Sequence, residues 1–259
     1  MLPPIINAAN IGVIIWDLDG TKYRFHPNIH TIANRILAEV ISRLLASHGK
    51  KPLSIETINE ISNQSYRSHG LSWLLFADMF ELDREVLFRE FNDSMPLESV
   101  ASVPCPRYKE QIHELKEAGV KNIILTHGTK DWARKVLEKL DMSSEFPDGH
   151  IFDIGDLKWG LKNDGTFAYQ ELKKRYPYRP SESLMVEDSV QNLVGAKSMG
   201  MTTVLIDRGP SEQSQQHVSE LGHVDYVFNS PQQFLDHFLT SMNQTDKAEE
   251  GNECRKVAP

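Results

Sequence analysis

The feature that most constrains the fold is a short apolar run that stops at two carboxylates. Residues 11–16 are rich in β-branched side chains, and Asp17 and Asp19 follow directly. Such a run predicts a buried parallel strand. Because ligands of open parallel sheets bind beyond the carboxyl ends of the strands, the two acids indicate a site there, where a cation or a shared proton would balance their repulsion. The alternative interpretation is a strand followed by an ordinary acidic turn.

Two further apolar runs end in polar residues. Thr126 follows residues 122–125, and Glu187 and Asp188 follow residues 184–186. If these runs are strands of the same sheet, a hydroxyl and two more carboxylates reach the same edge. Taken alone, Thr126 could cap a turn, and the acidic pair could be favoured by the dipole of the next helix.

A lysine completes this set of polar residues. Lys162 lies in a polar loop that precedes a helical pattern at residues 167–172. A solvated loop lysine is the alternative interpretation of this residue. In chain order the residues are two aspartates, a hydroxyl, an amine and an acidic pair.

These residues resemble the motifs of the haloacid-dehalogenase-like superfamily, most of whose members are magnesium-dependent phosphatases. The segment 17–21, Asp-Leu-Asp-Gly-Thr, is similar to its first motif. Thr126 resembles the hydroxyl of its second motif, Lys162 the lysine of its third, and Glu187 with Asp188 the acidic pair of its fourth. The similarity implies a Rossmann-like parallel α/β core with an inserted helical cap.

The resemblance spans roughly residues 10–230 and includes departures. Asn163 follows the lysine where the superfamily usually has proline, and Lys22 replaces a residue that is commonly apolar. Lys158 is a rival for the role of the third-motif lysine. Lys162 is preferred because its distance from Asp188 and its place before a helix fit the pattern better.

The resemblance implies a catalytic role for four residues. Asp17 would attack phosphorus and form an aspartyl-phosphate, and Asp19 would act as general acid and then as general base. Thr126 would donate a hydrogen bond to the transferring phosphoryl group, and Lys162 would offset negative charge.

The resemblance also implies a Mg²⁺ site and a phosphate-binding loop. The metal residues would be Asp17, Asp19 through its backbone carbonyl, Asp188 and Glu187, the last through water unless it instead orients the lysine. The substrate-binding residues would be Thr126, His127, Gly128 and Lys162.

The function expected from this resemblance is a phosphatase of the nucleotidase, phosphoglycolate phosphatase or β-phosphoglucomutase-like type. It would hydrolyse a small phosphate monoester, a nucleotide or a sugar phosphate. A phosphomutase stays open because the Glu-Asp pair also occurs in mutases of this superfamily, and a non-catalytic phosphate-binding protein is a further alternative. Dehalogenases typically lack the second aspartate, and receiver domains lack a helical insert.

Helical periodicity divides the chain into three parts. The pattern of residues 28–100 predicts an almost wholly helical stretch, with an apolar stripe that begins at Ile32 and Ile36, whereas it predicts alternating strands and helices from residue 107 onward. We therefore expect an α/β core at 1–26 and 101–242, a helical cap at 27–100 and a disordered tail at 243–259. A polar-aromatic loop at 65–73 could face the substrate or simply join two cap helices.

Composition limits the partners and the compartment. The net charge of −8 argues against binding of nucleic acid polymers or anionic membranes. The partner that the resemblance implies is a small phosphorylated metabolite. The two cysteines are too few for a disulfide framework or a zinc cluster. The start of the sequence does not resemble a secretory signal, and no apolar run is long enough to cross a bilayer. We expect a soluble cytoplasmic protein.

Overall fold

The computed structural model describes residues 6–209 and 222–256, the last twelve of them as backbone only. One parallel sheet of six strands, in the order β3-β2-β1-β4-β5-β6, forms the centre of this part of the chain. The strands are β1 (Val13–Trp16), β2 (Lys121–Leu125), β3 (Ile151–Phe152), β4 (Ser183–Glu187), β5 (Thr202–Ile206) and β6 (Tyr226–Phe228). The predicted α/β fold with a parallel sheet is confirmed.

The strand register brings the predicted site residues to one edge of the sheet. Strand β1 is central, and Trp16 at its end pairs with Ile124 of β2 on one side and with Val186 of β4 on the other. All three strands run in the same direction, so the residues that follow them emerge side by side.

Nine α-helices lie within the described ranges. They are α1 (Ile29–Ser47), α2 (Ile55–His69), α3 (Leu74–Phe80), α4 (Arg84–Asp93), α5 (Pro106–Glu117), α6 (Lys130–Lys139), α7 (Phe167–Arg175), α8 (Leu193–Ser198) and α9 (Pro231–Lys256). The two faces of the sheet are buried because successive side chains of a strand point to opposite sides. Trp16 packs with residues of α5, α6 and α9, whereas Ile15 packs with residues of α7 and α8.

Helices α1 to α4 lie between β1 and α5 and pack around a hydrophobic core to which Ile154, from outside these helices, also belongs. Leu37, Ile41, Trp73, Phe76 and Phe88 are buried in that core. The two connections to the insert meet where Phe25 and Val100 form an antiparallel bridge, flanked by backbone hydrogen bonds of 2.7 and 2.8 Å. Four helices therefore occupy the stretch for which the periodicity predicts a helical insert.

Two local expectations differ from the structure. Residues 65–69, predicted as part of a loop, form the last turn of α2, which ends at Gly70 in the left-handed conformation (φ 73°). The tail expected to be disordered is residues 243–259; the backbone of residues 243–256 continues helix α9, and residues 257–259 lie outside the described residues. Once packing has formed the first part of a helix, further residues can extend it without an apolar periodicity of their own. This explains why α9 continues beyond residue 243. None of the helices in the described part is long and apolar enough to span a membrane.

Candidate active site

Three acidic residues converge at the carboxyl ends of β1 and β4. Asp17 directly follows β1, Glu187 is the last residue of β4, and Asp188 comes next. One carboxylate oxygen from each of these residues lies within 4.8 Å of the other two. Asp17 and Glu187 are buried, whereas Asp188 is exposed to the cavity above the sheet. This spacing is compatible with a shared divalent cation.

Lys162 is buried between two of these acids. Its Nζ lies 2.5 Å from Oδ1 of Asp17 and 2.6 Å from Oε1 of Glu187, and it donates a further hydrogen bond to the carbonyl of Leu125. Burial alone would lower the pKa of Lys162, but the charges of Asp17 and Glu187 together raise it above its usual value. Lys158, the rival lysine, is 63 % exposed and pairs with Glu171, away from the acids.

The loop that carries Lys162 is fixed on two sides. The backbone N–H of Lys162 donates a hydrogen bond of 3.0 Å to Nε2 of His127. On the other side α8 approaches so closely that a Cβ at Gly195 would lie 2.1 Å from the carbonyl oxygen of Gly165. The absence of a side chain at Gly195 therefore lets the helix hold the loop against the sheet.

Asp17 has one oxygen without a partner. Its Oδ2 is buried and accepts no hydrogen bond from any described residue. Burial, followed by the negative charge of Glu187, raises the pKa of Asp17 to about 7. A positive ion beside Oδ2 would favour the charged carboxylate, so these residues fit a divalent metal.

The three acids are held differently. Glu187 accepts hydrogen bonds from the side chain of Asn192 and the backbone N–H of Ser189, both at 2.6 Å, in addition to the contact with Lys162. These contacts engage both carboxylate oxygens of Glu187 within the protein. The carboxylate of Asp188 accepts a long hydrogen bond of 3.5 Å from the hydroxyl of Thr21.

The carboxylate of Asp19 is held by three donors. Its Oδ1 accepts hydrogen bonds from the hydroxyl of Tyr23 at 2.5 Å and from Nε1 of Trp132 at 2.7 Å. Its Oδ2 accepts one of 3.1 Å from the hydroxyl of Thr126. Thr129 caps α6 by accepting the N–H of Trp132 at 3.0 Å, which fixes the first turn of that helix and with it the indole.

The loop expected to bind phosphate is occupied by contacts within the protein. The Thr126 hydroxyl donates to Asp19 and accepts the N–H of Gly128 at 2.8 Å. A Cβ at Gly128 would lie 3.2 Å from Oδ2 of Asp19, so this position favours glycine. Burial, followed by the charge of Lys162, lowers the pKa of His127, which therefore remains neutral.

Sequence reasoning missed three residues that shape this site. Tyr23 and Trp132 hold Asp19, and Arg208 donates hydrogen bonds of 2.6 and 2.7 Å to the carbonyls of Tyr23 and Thr21. A tryptophan in the first turn of the helix that follows Thr126 was the available signal for Trp132. Arg208 follows the fifth strand and has no comparable signal in the sequence.

A cavity of about 620 Å³ lies between the strand ends and the helical insert. Asp17, Asp19, Lys162 and Asp188 line its floor, and residues of the insert, including Tyr66 of α2, line the opposite side. A cleft of this volume accommodates a small organic molecule.

Comparisons with known proteins agree with this geometry. A family model described as haloacid dehalogenase-like hydrolase matches residues 11–200. A phosphoglycolate phosphatase of Vibrio vulnificus (strain CMCP6) is 27 % identical over 91 % of this chain and 100 % of its own length. A second phosphoglycolate phosphatase, from Caulobacter vibrioides, is also 27 % identical, over 89 % of this chain and 91 % of its own.

A solved structure shares the fold at low identity. The haloacid dehalogenase family IA, variant 3 hydrolase of Entamoeba histolytica has a TM-score of 0.56 at 14 % identity and covers 88 % of this chain and 99 % of its own. The fold, the clustered acids with their buried lysine and the family match lead to one conclusion: the chain belongs to the haloacid dehalogenase-like hydrolase family.

Proposed function

We propose that this protein is a magnesium-dependent phosphatase that hydrolyses a small phosphate monoester through an aspartyl-phosphate on Asp17. The observation that carries the proposal is the buried Lys162 between Asp17 and Glu187, with Asp188 open to the cavity beside them. The phosphoglycolate phosphatases among its relatives support a phosphatase activity.

Asp17 and Asp188, with the backbone carbonyl of Asp19, are the residues that would hold Mg²⁺. These are hard oxygen donors, which this ion prefers, and Oδ2 of Asp17 has no other partner. When bound, the ion supplies positive charge that shields the phosphate dianion from the carboxylates.

The first half of the reaction joins Asp17 to the phosphoryl group. A carboxylate oxygen of Asp17 attacks phosphorus, a P–O bond to Asp17 forms, and the P–O bond to the leaving alcohol breaks. Asp19 donates its proton to the departing alkoxide oxygen. Lys162 lies 2.5 Å from Asp17 and offsets the negative charge that gathers around phosphorus.

The second half releases inorganic phosphate. Asp19 is now a carboxylate and takes a proton from a water molecule. The oxygen of that water attacks phosphorus. The bond between phosphorus and Asp17 then breaks and restores both aspartates. Because Tyr23, Trp132 and Thr126 hold Asp19 in one orientation, the same group can serve both steps.

Phosphate release from p-nitrophenyl phosphate tests the proposal. We expect turnover by the full chain with Mg²⁺, loss of turnover in excess chelator and recovery when Mg²⁺ is restored. The matched control is Lys158→Ala, which changes an exposed lysine outside the site and should leave turnover intact. Absence of turnover with Mg²⁺ on every ester tried would reject the proposal, and dependence on an added sugar bisphosphate would indicate a phosphomutase instead.

A further inference from the structure

The charges that line the active-site cavity are unevenly distributed. Asp17, Asp19, Glu187 and Asp188 contribute four carboxylates to it. Among the described residues that line the cavity, Lys162 is the only lysine and none is an arginine, and this lysine is already paired with two of the acids. With Asp19 protonated, as its role as general acid requires, Lys162 and a bound divalent cation would balance the other three carboxylates and leave no excess positive charge for a second anion.

One of the two histidines that line the cavity is held in its neutral form. Nε2 of His127 accepts the backbone N–H of Lys162, so that nitrogen carries no proton and the ring stays neutral. His30 is exposed and packs edge-on against the ring of Tyr66. The phosphate dianion would use the cation and Lys162, so a second anionic group on the substrate would find no further lysine and no arginine among the described residues that line the cavity.

Two aromatic rings are exposed around the acids. Phe25 is 38 % exposed, and its ring lies against the loop of the first motif, 3.1 Å from where a Cβ at Gly20 would be. Tyr66, from α2, is 57 % exposed. Tyr66 lines the same cavity as Asp188 and Glu187.

Uncharged polar side chains line the same cavity around these rings. They are amides and hydroxyls that can donate and accept hydrogen bonds without adding charge: Asn34, Ser62, Asn63, Asn92 and Gln191. Aromatic faces with neutral hydrogen-bonding groups suit a planar, polar and uncharged ligand.

We infer that the substrate is a phosphate monoester of an uncharged alcohol that carries an aromatic ring, the chemical class of nucleoside monophosphates, and that Phe25 and Tyr66 bind the ring. This inference rests on the proposed phosphatase function. It also separates this chain from phosphoglycolate, whose leaving group carries a carboxylate.

A matched set of substrates tests the inference. Uridine and inosine monophosphates carry a base, ribose 5-phosphate is the same phosphosugar without one, and phosphoglycolate carries a carboxylate. With Mg²⁺ and the full chain, we expect kcat/KM to fall by about tenfold or more at each step from nucleotide to ribose 5-phosphate to phosphoglycolate. Equal or higher values for either of the last two would overturn the inference. Failure to hydrolyse any ester, p-nitrophenyl phosphate included, would instead reject the phosphatase function.

Substitution of Tyr66 tests the role of the ring. Tyr66→Leu should raise KM for nucleotides by about tenfold, because base–aromatic stacking contributes about 1–3 kcal/mol, and should leave ribose 5-phosphate unchanged. Tyr66→Phe keeps the ring and should restore nucleotide KM. Met79→Ala, an exposed position of the same helical insert outside the cavity, is the control for general effects. An equal change in KM for both substrates would contradict ring binding.

A substitution that adds charge tests the electrostatic argument. Asn63 is exposed on α2 and lines the cavity, so Asn63→Arg would supply a second cation there. We expect kcat/KM for phosphoglycolate relative to uridine monophosphate to rise by about fivefold or more. An unchanged ratio would contradict the argument that missing positive charge disfavours carboxylate-bearing esters.

Discussion

Nε1 of Trp132 donates a hydrogen bond of 2.7 Å to Oδ1 of Asp19 and joins helix α6 to the loop that follows the first strand. Tyr23 donates to the same oxygen and Thr126 to the other. With both oxygens engaged, the carboxylate has little freedom to rotate. The orientation of the proposed general acid is therefore set before substrate binds.

Trp132→Phe should lower turnover more for esters whose leaving group needs a proton than for esters whose leaving group does not. The substitution keeps an aromatic ring and removes the N–H, and a hydrogen bond to a charged group contributes about 1.5–3 kcal/mol. We expect kcat for an alkyl phosphate to fall by about tenfold more than kcat for p-nitrophenyl phosphate, because p-nitrophenolate leaves with little proton transfer. Steady-state kinetics on both esters measures this difference.

The control for this prediction removes an indole N–H elsewhere. Trp159 packs against Trp73 and Phe88 and does not contact Asp19. Trp159→Phe should change kcat for both esters by the same factor. If Trp132→Phe did so too, its hydrogen bond would have no part in positioning the acid.

The convergence of the acids could be predicted from sequence because it follows from strand direction. Apolar runs that end at Asp17, Thr126 and Glu187 are local patterns, and parallel pairing brings their ends together whatever lies between. Lys162 could be assigned to the site only because it lies between Thr126 and Glu187 in the sequence. Its burial between two carboxylates depends on how Gly195 packs against its loop.

The contacts that hold Asp19 could not be predicted in the same way. Trp132 lies 113 residues from Asp19, and Arg208 reaches the carbonyl of Thr21 across 187 residues. Such pairs depend on the directions of individual side chains, which periodicity does not specify. The end of α2 at His69 was also missed, because its polar exposed face lacks the apolar spacing that predicts a helix.

Lys162→Met should remove activity and destabilise the protein. The side chain is buried, and its loss would leave Asp17 and Glu187 without a positive charge between them. Breaking such a buried pair costs about 3–5 kcal/mol of unfolding free energy. Urea denaturation and phosphate release measure the two effects.

Lys158→Met is the matched control. This lysine is 63 % exposed, and an exposed substitution changes the unfolding free energy by about 0.5 kcal/mol or less. A larger loss of activity in Lys158→Met than in Lys162→Met would transfer the proposed role to Lys158.

Asp17→Asn should abolish turnover while the protein stays folded. The amide lacks the negative oxygen that attacks phosphorus, so we expect kcat to fall by more than about 1,000-fold. Stabilisation of the fold by added Mg²⁺, measured as a rise in Tm, should also decrease. Appreciable turnover by this variant would reject Asp17 as the nucleophile.

The same substitution should change how stability depends on pH when a chelator removes metal. Burial and the charge of Glu187 raise the pKa of Asp17 from 3.8 to about 7, so between these values the folded protein retains a proton that the unfolded chain has lost. Stability of the wild type therefore falls as pH rises through this window, whereas the amide introduced by Asp17→Asn does not titrate. We expect Tm of the variant minus Tm of the wild type to increase from about pH 4.5 to about pH 7.5. A difference independent of pH would contradict the raised pKa.

Gly20→Ala should weaken magnesium binding by displacing Asp188. Gly20 has φ +88°, and a Cβ there would lie 2.0 Å from Oδ2 of Asp188. Gly200 has nearly the same φ, +86°, but nothing lies within 4 Å of its Cβ position, so Gly200→Ala carries the backbone strain alone. Gly200→Ala should lose about 1–2 kcal/mol of stability, and Gly20→Ala should lose at least as much. Only Gly20→Ala should raise the Mg²⁺ concentration for half-maximal activity, by about tenfold, since a displaced ligand binds metal less tightly. A similar rise in Gly200→Ala, measured by magnesium titration of phosphate release, would show that Asp188 is not the residue through which Gly20 acts.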